Sequence, residues 1–300
     1  MSRVAGRRPL ISGNWKMNLD HLEAIHGARD LGLRLQPADV GGLDVSVHPP
    51  FTDIRSVQSV LEGESVPVAL GAQNCAIDDS GAFTGEVSPV MLAKLHVEYV
   101  IVGHSERRAM FGETDSVVAA KLKAVLRNGM TPVCCVGETI DERDVGLTQE
   151  RLATQVGAAL SAVPREAVPG MVIAYEPVWA IGTGQAATPE DAQDACSWIR
   201  GVVASQVGEE EATQIRIQYG GSVNPDNTEA LMACPDVDGL LVGGASLEAA
   251  VFVEIIRAAS SAASSAASSG KSSTSTSAPS SAPSSAPSGP ATGAASRVTR

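Results

Sequence analysis

Three residues set far apart in the chain, Lys16, His104 and Glu176, carry groups able to bind an anion or exchange a proton: an ammonium, an imidazole and a carboxylate. Each stands at or just after the end of an apolar run. Glu176 follows MVIAY (171–175), which reads as a strand buried on both faces, and Pro177 ends that strand because it cannot donate into a central ladder. His104 closes EYVIVGH and leads into Ser105-Glu106-Arg107-Arg108, while Lys16 follows LISGNW with Asn14 two residues before it. Two later runs end in Gly220-Gly221-Ser222 and Gly243-Gly244, where backbone N–H groups can close on an anion. From Glu176 to the helix-start signal Thr188-Pro189-Glu190-Asp191 lie about a dozen residues, longer than the roughly 2–6 usual for such a loop. That loop has an apolar middle and spaced glycines, as a segment that closes over something would. A Gly-Gly pair alone is ordinarily a turn, as Gly41-Gly42 is read, and a lone histidine is ordinarily structural, the reading given to His21, His26, His48 and His96. The coincidence of so many reactive groups at run ends is what points to a site.

The elements that would position them alternate regularly. Apolar runs LISGNW (10–15), LDVSVH (43–48), VALGAQ (68–73), EYVIVGH (98–104), TPVCCVG (131–137), MVIAYE (171–176), IRIQYGG (215–221) and DGLLVGG (238–244) are separated by helical patterns such as 115–127 and 148–163. This alternation predicts an α/β fold, a single (β/α)8 barrel over 9–257, whose catalytic groups sit at the C-terminal strand ends. A doubly wound open sheet is the alternative that periodicity leaves open. Residues 1–8 read as a short extension. From 258 onward the chain turns into Ser/Ala/Pro repeats, which predict a disordered tail over 258–300.

Composition narrows the function. The chain has 300 residues, 44% of them hydrophobic, and a net charge of −12, which argues against nucleic acid or an anionic membrane as partner. No apolar run has the length of a membrane span and no secretory leader is evident. The odd count of five cysteines fits a reduced, cytoplasmic setting, and Cys134-Cys135 are read as facing opposite sides of one strand. No His/Cys/Asp cluster has metal-ligand spacing, so no metal is expected.

The motifs GNWKMN (13–18), QNCAIDDSGAFTGEVSP (73–89), VIVGHSERR (100–108), CVGET (135–139), AYEPVWAIGTG (174–184), YGGSV (219–223) and LVGGASL (241–247) resemble the triosephosphate isomerase family, in order and over about residues 8–257. That resemblance implies interconversion of dihydroxyacetone phosphate and glyceraldehyde 3-phosphate through an enediolate, in glycolysis and gluconeogenesis, a reaction that needs no organic cofactor. Glu176 would be the base, His104 a neutral electrophile whose pKa is lowered by a helix N-terminus, and Lys16, positioned by Asn14, the stabiliser of oxyanion and phosphate. Gly182, Ser222, Gly243 and Gly244 would hold the phosphate. Pro177, Val178, Trp179, Ala180, Ile181, Gly182, Thr183 and Gly184 would form a lid that excludes water, latched by Tyr219 with Ser222. Glu106 would support Lys16, or else pair with Arg107 or Arg108. Cys135 would pack near Glu176, with a plain small core residue as its other reading. The loop 73–89, with Phe83, Thr84, Gly85 and Glu86 at its tip, implies a homodimer in which Thr84 approaches the neighbour's Asn14 and Lys16. A different sugar-phosphate enzyme would need another base, and a catalytically dead scaffold would be expected to lack Glu176, His104 or Lys16.

Overall fold

The computed structural model describes residues 7–181 and 187–271, with side chains through Ser265. Eight parallel strands close into a barrel: β1 (Leu10–Asn14), β2 (Asp44–His48), β3 (Ala69–Ala72), β4 (Tyr99–Val102), β5 (Thr131–Val136), β6 (Val172–Tyr175), β7 (Arg216–Tyr219) and β8 (Gly239–Val242). Every neighbouring pair is parallel, and β8 returns to β1 with Leu10 opposite Gly239 and Gly13 opposite Val242. Closure excludes the open sheet. At the closing seam a Cβ on Gly239 would lie 2.0 Å from the Leu10 carbonyl, so only glycine fits that approach.

Strand residues alternate between two cores because successive side chains point to opposite faces. Leu10, Ile101, Val133, Cys135, Val172, Ala174 and Leu241 fill the barrel interior. Ile11, Val100, Val102, Cys134, Val136 and Ile173 face outward into the larger layer beneath the helices. The adjacent cysteines therefore do part to the two faces. The interior also holds a polar run in which Gln218 donates to Ser12 Oγ at 2.9 Å, Ser12 and Ser46 hydroxyls lie 2.9 Å apart, and Ser46 Oγ meets His48 Nε2 at 3.1 Å.

Both composition-based boundaries move outward. Arg7, assigned to the extension, is buried and its Nε donates to Asp238 at 2.7 Å, while Arg8 pairs with Asp44 at 2.5 Å. At the other end the last helix runs Ala249–Lys271, beyond residue 257, with Ala259 and Ala262 buried. Alanine is the best helix former and serine is tolerated in a helix already nucleated by Phe252, Ile255 and Ile256, so the repeat continues the helix it follows. The rest of the expected tail lies outside the described residues.

Candidate active site

Every strand that carries a predicted group ends at one rim, and the groups converge on a cavity of about 400 Å³. Lys16 comes from the loop after β1. Its backbone is left-handed (φ 53°), unusual for a residue with a side chain. Two side chains hold that conformation: Asn14 Oδ1 accepts the Lys16 N–H at 3.1 Å, and Gln73 Nε2 donates to the Lys16 carbonyl at 2.7 Å and to the His48 carbonyl at 2.8 Å. The Lys16 ammonium pairs with Glu106 Oε1 at 2.5 Å, so Glu106 takes the first of its two expected partners. Arg107 instead binds Glu113, and Arg108 binds Asp115.

His104 sits at the N-cap of helix Ser105–Phe111, and its Nδ1 accepts the Glu106 N–H at 3.2 Å. An accepting Nδ1 leaves the ring proton on Nε2, which faces Glu176 Oε1 at 2.9 Å. Glu176 is almost fully buried, yet its second oxygen accepts the Ser105 N–H at 2.9 Å. Burial pushes the Glu176 pKa up, but His104, the Ser105 N–H and Lys16 outweigh it, and the carboxyl is held below its ordinary value. For His104 burial acts downward and is outweighed by the carboxylates of Glu176 and Glu106, so the imidazole moves up. The expected lowering therefore does not hold while Glu176 rests against the ring.

The opposite wall is backbone. Ser222, Gly243 and Gly244 line the cavity, with Gly243 opening the short 3₁₀ turn Gly244–Ser246 close to the Lys16 stem. Gly182, Thr183 and Gly184 lie outside the described residues. The segment before them is ordered by contacts the sequence did not announce. Val178–Ala180 form a 3₁₀ turn, the Trp179 indole donates to Glu138 Oε1 at 2.8 Å, and the Arg143 guanidinium stacks 4.2 Å from the Trp179 ring centre. Pro177 precedes that turn and Ile181 lines the cavity. Tyr219 is buried beneath Gly221, and among the described residues its hydroxyl has no hydrogen-bond partner. Cys135 lies fully buried against Glu176, and burial raises its thiol well above the usual value, so it is packing rather than a nucleophile. The tip Phe83, Thr84, Gly85, Glu86 is exposed. Beside this cavity a second, mainly apolar one of about 580 Å³ is lined by Met17, Pro50, Phe51, Met110 and Phe111 together with Lys16, His104 and Glu106.

Sequence reasoning missed Gln73, Glu138 and Arg108. Gln73 opens the 73–89 motif and Glu138 stands in CVGET at the end of β5, so their positions at strand ends were the available signal. Among the described residues, no three His, Cys, Asp or Glu side chains are grouped to hold a metal ion.

The match to known proteins agrees with this geometry. The family model described as triosephosphate isomerase matches residues 9–259. The chain belongs to the triosephosphate isomerase family. The triosephosphate isomerase of Streptomyces avermitilis is 50% identical over 254 residues, covering 85% of this chain and 98% of that one. That of Cutibacterium acnes is 50% identical, covering 83% and 97%, and that of Corynebacterium efficiens is 48% identical, covering 87% and 100%. Members of this family are intramolecular isomerases, and the chain is one of them.

Proposed function

We propose that the rim site performs the family's reaction with Glu176 as the base, His104 as the electrophile and Lys16 as the cation. As a triosephosphate isomerase, the chain interconverts dihydroxyacetone phosphate and glyceraldehyde 3-phosphate in glycolysis. The observation that carries the assignment of roles is the ionised, buried Glu176 set 2.9 Å from His104 Nε2 at the cavity that Lys16 and Gly243 also line. Held below its ordinary value by His104 and the Ser105 N–H, the Glu176 carboxylate is ionised and able to accept a proton, and it becomes a stronger base once it leaves those donors in a site closed to water. His104, its Nδ1 occupied by a backbone N–H, has only Nε2–H to offer to a carbonyl oxygen and can take that proton back. To reach a substrate carbon, Glu176 must leave Ser105 and His104, which frees the ring at the same moment.

The wall formed by Ser222, Gly243 and Gly244 is suited to the phosphate, with Gly182 completing it from the lid and Lys16 adding its charge. The lid then spans Pro177 to Gly184, hinged where Trp179 anchors on Glu138, with Tyr219 as its latch. The exposed Phe83 tip and the apolar cavity beside Lys16 support a homodimer in which the partner's tip packs beside Asn14 and Lys16. No helix among the described residues is long and apolar enough to cross a membrane, and a cytoplasmic location is part of this proposal.

A coupled assay of glyceraldehyde 3-phosphate isomerisation with the native chain, Glu176→Gln and His104→Gln tests the assignment. Loss of kcat in both variants with the fold retained supports it, and a fully active Glu176→Gln rejects Glu176 as base.

A further inference from the structure

We propose that Arg108 is a positioning residue for the reaction, a guanidinium strut that replaces the next rung of the β4–β5 ladder and fixes His104 opposite Glu176. The inference rests on the roles given to His104 and Glu176 above. The ladder between β4 and β5 runs in register from Tyr99 opposite Thr131 to Val102 opposite Cys134 and stops there. The next pair would be Gly103 and Cys135, but Gly103 takes φ 68°, a conformation no strand sustains, so that His104 can turn into its helix. Past the last rung one side chain reaches a carbonyl on each strand. Arg108 Nε donates to the Gly103 carbonyl at 2.7 Å and Nη2 to the Cys135 carbonyl at 3.1 Å.

The strut is itself held. Its third nitrogen donates to Asp115 Oδ1 at 2.5 Å, and Asp115 is pinned from the other side by Arg151 at 3.3 Å. The Arg108 backbone N–H donates to the His104 carbonyl at 3.1 Å, so the same residue grips the chain on both sides of His104. Across β5, the next carbonyl, Val136, accepts the Glu176 N–H at 2.8 Å. Acid and base are thus referred to one guanidinium, whose planar fork spans two strands as an ammonium cannot. A cavity of about 210 Å³ lies along Arg108 and reaches Cys135 and Glu176, so a small cation can enter if the side chain is removed.

The test compares kcat and KM of the full-length native chain, Arg108→Ala and Arg108→Lys on glyceraldehyde 3-phosphate, with and without methylguanidinium or methylammonium. A displacement of His104 of about 1 Å predicts a fall in kcat of about 100-fold with KM little changed. Methylguanidinium restores kcat of Arg108→Ala, methylammonium does not, and Arg108→Lys stays impaired. If Arg108→Ala does not fold, Arg108→Lys decides alone by the kcat-against-KM split. A folded variant with native kcat, or rescue by methylammonium equal to that by methylguanidinium, overturns the proposal. An inactive native chain would overturn the reading of the site itself, and this inference with it, whereas an active native chain with unaffected variants overturns this inference only.

Discussion

His48 gives the structure a specific acid sensitivity. Its ring is buried inside the barrel, with Nδ1 3.2 Å from the Ala72 carbonyl and Nε2 3.1 Å from the Ser46 hydroxyl. Burial lowers its pKa from 6.5 to about 4, only partly opposed by the Ala72 carbonyl. A histidine depressed in the folded state stays neutral there while the unfolded chain takes up a proton below 6.5. Stability is therefore complete above that value and is lost as the pH falls toward about 4. A tenfold difference in proton affinity between the two states is worth about 1.4 kcal/mol, so the full loss is about 3 kcal/mol, of which about 2 kcal/mol is already gone at pH 5. His48→Gln keeps polar atoms for the same two neighbours and cannot titrate. Chemical denaturation at one fixed protomer concentration, at about pH 7.5 and pH 5, measures the effect. Other carboxylates titrate in both proteins and cancel in the comparison. The native chain should lose about 2 kcal/mol more than His48→Gln between the two pH values, and equal losses would refute the argument.

Other expectations follow from single contacts. Lys121, buried, binds Glu113 at 2.5 Å and Asn74 at 2.7 Å, so Lys121→Met leaves the buried Glu113 to Arg107 alone and the Asn74 oxygen without this donor, and should cost about 2 kcal/mol in denaturant unfolding. Gly239→Ala would set a methyl 2.0 Å from the Leu10 carbonyl at the barrel seam, and should lower stability by about 3 kcal/mol or prevent folding, read by circular dichroism and melting. A chain cut after Arg257 loses the buried Ala259 and Ala262 and should melt at a lower temperature than one cut after Lys271; equal melting temperatures would show that the extra turns do not contribute. If the proposed homodimer forms through the exposed loop tip, Phe83→Glu places a charge in its interface and should give monomers in sedimentation, with activity falling in parallel; an unchanged sedimentation coefficient would reject that interface.

Much of the barrel was legible because parallel strands buried on both faces leave an uninterrupted apolar signature, and MVIAY or TPVCCVG can hardly be read otherwise. Glu176, His104 and Lys16 were legible for the converse reason, as polar groups placed where such a run stops. Gln73, Arg108 and Glu138 were not. Their importance lies in which distant carbonyl or indole they reach: Lys16 O, Cys135 O and Trp179 Nε1. Nothing local in the chain encodes those pairings. The boundaries at both ends were misplaced because composition was read without its neighbours. Arg7 looks like a solvated extension until Asp238 is seen beneath it, and an alanine-serine repeat looks unstructured until it inherits a helix already under way. The direction in which the His104 pKa moves also depended on geometry, since it is the approach of Glu176 that turns it upward.

The central claim, that Glu176 moves a carbon-bound proton of a triose phosphate beside His104, is tested most directly by isomerisation in deuterium oxide followed by proton NMR. The native enzyme should form product that carries solvent deuterium at the carbon receiving the proton. Folded Glu176→Gln should show neither turnover nor exchange at carbon. Exchange by Glu176→Gln at the native rate would place the base elsewhere and contradict the account.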